Sequence, residues 1–158
     1  MPKPAYELQL HRPNILVADM DRALSLYRDM LGFKVDFLLD ALDVATEMFA
    51  LPADCKARMA FLSEGKGVFG SLAVTEAAGV DLPERGPPYP FCIIIEIQEG
   101  RLAGILKQCR AAGLQVGQAY ELTQPDRTDV TITDFDGHRV TLFELHPKKT
   151  AKKKPNNN

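Results

Sequence analysis

Apolar and polar positions order the chain into two similar runs. Leu10, Ile15 and Val17 mark a strand over Leu8–Val17, and Pro13 places a bulge or an edge in it. Asp19 then offers a helix N-cap. Ala23, Leu24, Leu26, Tyr27, Met30 and Leu31 recur at three- and four-residue steps as one buried helix face, and Gly32 stands where a left-handed stop is wanted. Phe33, Val35, Phe37 and Leu39 alternate with Lys34, Asp36 and Leu38 as a second strand. Ala41–Ala50 fits either a short helix or a loop closed by Pro52. Ala57–Leu62 and Gly70–Thr75 read as two more strands around a Gly65-Lys66-Gly67 turn.

After the Gly- and Pro-rich segment Ala77–Pro90 the pattern restarts. Phe91–Ile97 is a β-branched strand, and Leu102, Ile105, Leu106 and Cys109 have helical spacing within Arg101–Ala112. Gly113 ends that helix 81 residues after Gly32, and Leu114-Gln115-Val116 echoes Phe33-Lys34-Val35. Val130–Asp134 and Arg139–Leu145 are strands joined by an Asp136-Gly137 turn. Each half thus reads strand, helix, strand, strand, strand, an internal repeat within one domain. The expected organisation is a first module at 8–76, a linker at 77–90, a second module at 91–146 and a disordered basic tail at 147–158.

Strand parity divides the side chains between two faces. Ile15, Val17, Ile93, Ile95, Ile97, Val140 and Leu142 are predicted to pack under the helices. Arg12, Asn14, Leu16, Ser71, Ala73, Thr75, Cys92, Ile94, Glu96, Arg139, Thr141 and Phe143 then share the other face. Apolar walls with a few convergent polar groups describe a ligand cavity, so Arg12, Asn14, Ser71, Thr75, Cys92, Ile94, Glu96, Arg139, Thr141 and Phe143 are the candidate cavity residues. Arg12 and Glu96 are also candidates for an ion pair across neighbouring strands. Cys92 is expected as a small buried hydrophobe rather than a nucleophile. Glu144 has the opposite parity to Thr141 and Phe143 and is expected at the rim or in solvent.

Charge adds one distinction. The 158 residues carry 19 basic and 21 acidic side chains. Lys148, Lys149, Lys152, Lys153 and Lys154 all follow Pro147, so residues 1–147 hold 14 basic and 21 acidic groups, a net −7. An acidic body suits a cationic ligand or serves solubility, and the balance gives no general reason to expect nucleic acid. Three cysteines, with no CxxC spacing, argue against a disulfide or zinc framework. No apolar run approaches a membrane span and no secretory leader is visible, so a cytoplasmic protein without a membrane partner is expected.

Two segments carry a family resemblance: Asn14–Phe33, with its Asp19-Met20-Asp21-Arg22-Ala23-Leu24-Ser25-Leu26-Tyr27 core, and Thr133–Leu145, with Asp134-Phe135-Asp136-Gly137-His138. Together they resemble the two signatures of the vicinal oxygen chelate superfamily, which includes glyoxalase I, bleomycin-resistance proteins, fosfomycin-resistance enzymes and extradiol dioxygenases. The resemblance implies an α+β fold of two βαβββ modules forming a curved mixed sheet around a cup-shaped cavity, and commonly a homodimer. Metal-dependent members hold a divalent ion with His, Glu or Gln at four strand positions. Those positions here are Arg12, Ala73 or Ser71, Cys92 and Thr141. A cation beside Arg12 is repelled rather than held. The expectation is therefore a metal-free protein that binds a small organic ligand, with no cofactor. The alternative is a metal-dependent lyase or dioxygenase with a displaced Zn, Ni, Mn or Fe site, for which His11 and Glu144, with His138, are the candidate ligands.

Overall fold

The computed structural model describes residues 11–40, 43–65, 67 and 69–147. The Leu8–Leu10 part of the first predicted strand and the lysine tail lie outside them. The chain divides into two units, Met1–Arg85 and Gly86–Asn158.

The first unit runs β1 (Asn14–Val17), α1 (Met20–Leu24, continued as a π-helix over Ser25–Met30), β2 (Lys34–Asp40), α2 (Asp43–Met48), β3 (Lys56–Ser63) and β4 (Leu72–Ala78). The second runs β5 (Cys92–Ile97), α3 (Leu102–Ala111), β6 (Gln115–Thr123), β7 (Asp126–Thr133) and β8 (Arg139–Leu145). Each builds its own four-stranded mixed sheet, ordered β1-β4-β3-β2 and β5-β8-β7-β6. In each, the first and last strands pair in parallel and the other pairs are antiparallel. The wiring is identical, as the repeat predicts.

One face of each sheet is covered by its helix. On the first, Ile15, Val17, Leu72, Val74, Ala60 and Leu62 are buried with Met20, Ala23, Leu24, Leu26 and Tyr27. On the second, Ile93, Ile97, Ile132, Val140 and Leu142 are buried with Leu102, Ile105, Leu106 and Cys109. Removal of this apolar area from water is the main driving force for each unit.

Both helix starts are built alike. The Met20 N–H donates to Glu76 Oε1 at 2.9 Å, and the Leu102 N–H donates to Glu144 Oε2 at 2.8 Å. Each carboxylate comes from the unit's last strand and satisfies a helix N–H that has no intrahelical acceptor. Asp19 also caps α1, accepting from Arg22 N at 2.8 Å. The stops are alike too, at Gly32 and Gly113, with φ +87° and +81°. Twelve residues separate Met20 from Gly32, but eleven separate Leu102 from Gly113. The π-helix takes up the extra residue: Leu31 N donates to Leu26 O at 2.9 Å, one residue further back than an α-helical bond reaches.

Three sequence expectations need correcting. Val35 and Phe37 were expected on one face, but a β-bulge at Asp36 pairs Val35 with Leu62 and Phe37 with Phe61. Phe37 and Leu39 therefore lie on the face away from α1. The segment 117–129, left between the strand signals at Leu114–Val116 and Val130–Asp134, is most of the β6–β7 hairpin. β6 is exposed along almost its whole length, so no apolar alternation announced it. Arg12 lies just before β1 of the first sheet and Glu96 in β5 of the second, so the two belong to different sheets. Within 41–50, the helical alternative holds for Asp43–Met48.

Candidate functional site

The candidate cavity residues stand on the face of each sheet away from its helix, called here the open face. On the first sheet, Asn14 Oδ1 accepts from Thr75 Oγ1 at 2.9 Å, and its Nδ2 lies 3.8 Å from Met48 Sδ. Thr75 is fully buried, with Ala57, Met59 and Ala73 in the same layer. α2 packs against β3, and Met48 carries its last turn to the open face. The half-buried Ser71 turns back to the protein, its hydroxyl 3.4 Å from the Leu62 carbonyl.

Beyond that layer lies an aromatic cluster. Phe37 and Phe69 meet edge to face at 5.3 Å, and Phe61 and Phe69 stack at 6.2 Å. The Arg12 guanidinium sits 4.5 Å from the Phe61 ring centre and 5.5 Å from that of Phe69. Asp36, in the bulge, accepts from Gly70 N at 3.2 Å and Ser63 Oγ at 3.1 Å, and lies 3.4 Å from Lys34 Nζ. Burial pushes the Asp36 carboxyl up, but these three donors outweigh it and leave its pKa below the usual carboxylate range.

The open face of the second sheet is polar. Cys92 Sγ lies 3.4 Å from Thr141 Oγ1, and Thr141 Oγ1 lies 2.9 Å from Thr131 Oγ1. Arg139 Nη1 donates to Thr133 Oγ1 at 2.8 Å, and its guanidinium stands 5.1 Å over Tyr89. Arg127 lies 4.7 Å over Phe143 and pairs with Asp129 at 2.7 Å. Ile94 and Glu96 are exposed. The expectation of a buried Cys92 is overturned: the thiol is exposed, on β5, an edge strand of its sheet. Cys109 is the buried thiol, and burial pushes its pKa up, which disfavours the reactive thiolate.

Parity placed Arg12, Asn14 and Thr75 with one another, and Cys92, Ile94, Glu96, Arg139, Thr141 and Phe143 with one another. It missed Phe37, Phe61, Phe69 and Met59 on the first sheet, and Arg127, Asp129 and Thr131 on the second. The alternation Ala57-Met59-Phe61 was available as a signal in the first case. The second group lies in the hairpin that was not read as strand.

Glu144 has the opposite parity, as expected, and its carboxylate serves the start of α3. His138 is buried in the turn, where its N–H donates to Asp134 Oδ1 at 2.7 Å. His11 is exposed and its Nδ1 accepts from Arg12 Nη2 at 2.8 Å. The four positions implied for a divalent ion carry a guanidinium, a methyl or hydroxymethyl, a thiol and a hydroxyl. That donor set does not fit a hard or borderline cation, which takes three or more carboxylate, imidazole or thiolate ligands, and only Cys92 is of those types. Among the described residues, no group of three His, Cys, Asp or Glu side chains is placed to hold a metal. Nor is any described helix long and apolar enough to cross a membrane.

Comparison with known proteins agrees with this architecture. The glyoxalase family protein of Bacillus cereus superposes with a TM-score of 0.71 at 12% identity, over 92% of this chain and 100% of that one. The trypanothione-dependent glyoxalase I of Leishmania major gives 0.62 at 20% identity, over 87% of each chain. The genomically encoded fosfomycin resistance protein of Listeria monocytogenes gives 0.58 at 16% identity, over 89% of this chain and 96% of that one. At these identities the likeness is one of fold. No curated protein sequence matches. A family model spans residues 9–142, and with the two repeated modules it shows that the chain belongs to the Glyoxalase/Bleomycin resistance protein/Dioxygenase superfamily.

Proposed function

We propose that this chain is a small-molecule-binding protein of the glyoxalase and bleomycin-resistance type that works without the divalent ion of its metal-dependent relatives. The observation that carries the reading is the chemistry at the four ligand positions. Arg12 is already cationic and rests on two aromatic rings. Ala73 offers no donor and Ser71 is turned to a carbonyl. Cys92 and Thr141 lie against each other, and Thr141 also meets Thr131. The fosfomycin resistance protein of Listeria monocytogenes has been crystallised with Mn(II), so the fold can hold a metal where the donors allow it. Here the first sheet offers aromatic surface, and the second offers fixed hydroxyl and guanidinium groups.

The test combines metal analysis of the purified chain by mass spectrometry with a thermal-shift screen of divalent metals and small organic molecules. Substoichiometric metal, no stabilisation by metals, and a rise in melting temperature with an organic ligand are expected. A ligand at a hundred times its Kd stabilises the folded state by about 2.7 kcal/mol. Stoichiometric Zn, Ni, Mn or Fe overturns the reading and favours the metal-dependent lyase or dioxygenase alternative.

A further inference from the structure

Arg12 brings a full positive charge to the open face of the first sheet. Among the described residues it has no carboxylate within ion-pairing distance. Its Nη1 is buried without an acceptor, while Nη2 donates to Nδ1 of His11. Nη1 packs against Gly70, whose φ is +53° and where a Cβ would meet it. Asp36, the carboxylate that shares Gly70 with it, is already committed to Gly70 N–H, Ser63 and Lys34. On the same face Phe37 and Phe69 remain 56% and 49% exposed, and Leu39 and Met48 are exposed too. Grouped exposed aromatic surface of this kind marks a binding face.

We propose that this face receives a flat organic anion, whose oxyanion accepts from the Arg12 guanidinium and whose ring lies on Phe37 and Phe69. The inference rests on the small-molecule-binding reading and names the ligand class for it. Charge complementarity carries it. A guanidinium over aromatic rings keeps its full charge, and a carboxylate is the planar acceptor that matches its N–H fork. The net −7 of residues 1–147 points towards a cationic ligand, but the charge at this face has the opposite sign.

The test is calorimetric titration of the full chain with naphthoate, the neutral naphthylmethanol and the cationic naphthylmethylammonium. Naphthoate is expected to bind at least about tenfold more tightly than the neutral probe, and the cation most weakly. Arg12→Gln is expected to erase that preference while naphthylmethanol still binds, which shows that the variant is folded. Arg12→Lys is expected to keep part of the preference, and Phe69→Ala to weaken all three probes. The proposal is overturned if the neutral or cationic probe matches naphthoate, if Arg12→Gln keeps the preference, or if no probe binds. It is also overturned if sizing shows that Phe69→Ala separates a dimer, since a second copy then covers the face. Metal content of the same sample tests the metal-free reading separately.

Discussion

The two units share strand order, register and helix placement, yet their open faces are filled with opposite chemistry. Met59 stands opposite Thr75 on the first sheet, and Asp129 stands opposite Phe143 at the equivalent place on the second. Phe61 and Ala73 in one correspond to Thr131 and Thr141 in the other. The connections explain part of this difference. In the first unit residues 41–55 join β2 to β3 and include α2, which packs on β3; in the second, Gln124 and Pro125 alone join β6 to β7. A face with a helix above it must be apolar or internally hydrogen-bonded. A face without one can keep arginines, threonines and a thiol in reach of solvent. The helix-covered faces fix the fold in both halves, which leaves the open faces free to diverge.

Three measurements can break or sharpen this comparison. The largest effect is expected at the buried layer. Met59→Ala should cost about 2–5 kcal/mol in urea denaturation, because it leaves a cavity. Thr131→Ala on the second sheet should cost about 1 kcal/mol or less. Equal losses would mean that the two faces are packed alike. Next come the two helix starts. Glu76→Ala should cost about 2–3 kcal/mol and Glu144→Ala about 1–2 kcal/mol, since each removes a charged acceptor from a helix N–H. Glu76 costs more because it also holds Arg58 Nη1 at 3.4 Å. A larger loss at Glu144 would reverse the ranking of the units.

The smallest effect is expected at the bulges. The first carries Asp36, whereas the second carries Gly117 and Gln118. The Asp36 pKa is lower folded than unfolded. Its contribution is therefore complete above the ordinary aspartate value of about 3.9 and is lost as pH falls through the lower folded value. Urea midpoints measured from about pH 5 to about pH 2 should fall less steeply for Asp36→Asn than for the natural chain. Parallel curves would remove Asp36 from the acid response.

Much of this was legible in the sequence because the two helix-covered faces obey simple periods. Ile15 and Val17, Ile93 and Ile97, and Val140 and Leu142 fall where alternation puts them. The parts that escaped were places where one residue breaks a period. Asp36 swaps the face of Phe37 and Leu39, so the aromatic cluster around Arg12 was not foreseen. The π-helix absorbs a residue that the 81-residue offset, true at the glycines, does not reveal at the helix starts. β6 is polar because it is an exposed edge, and a polar edge has no alternation to detect. Glu76 was legible in principle, as a carboxylate on the otherwise apolar parity of Leu72 and Val74. The candidate site followed from parity plus the superfamily resemblance, and both depend on register more than on residue type.

The carboxylates at the helix starts have a consequence for how the protein comes into being. Met20 waits for a partner 56 residues later, and Leu102 for one 42 residues later. In both units the parallel pairing of first and last strands spans the same stretch. During synthesis the first helix can emerge early, but its leading turn acquires its acceptor only when β4 has left the ribosome. Each unit is thus a loop whose closing step coincides with the delivery of its final strand. Long-range closure of this kind is the slow part of folding. Once β4 has left the ribosome the first loop can close while the second unit is still being made.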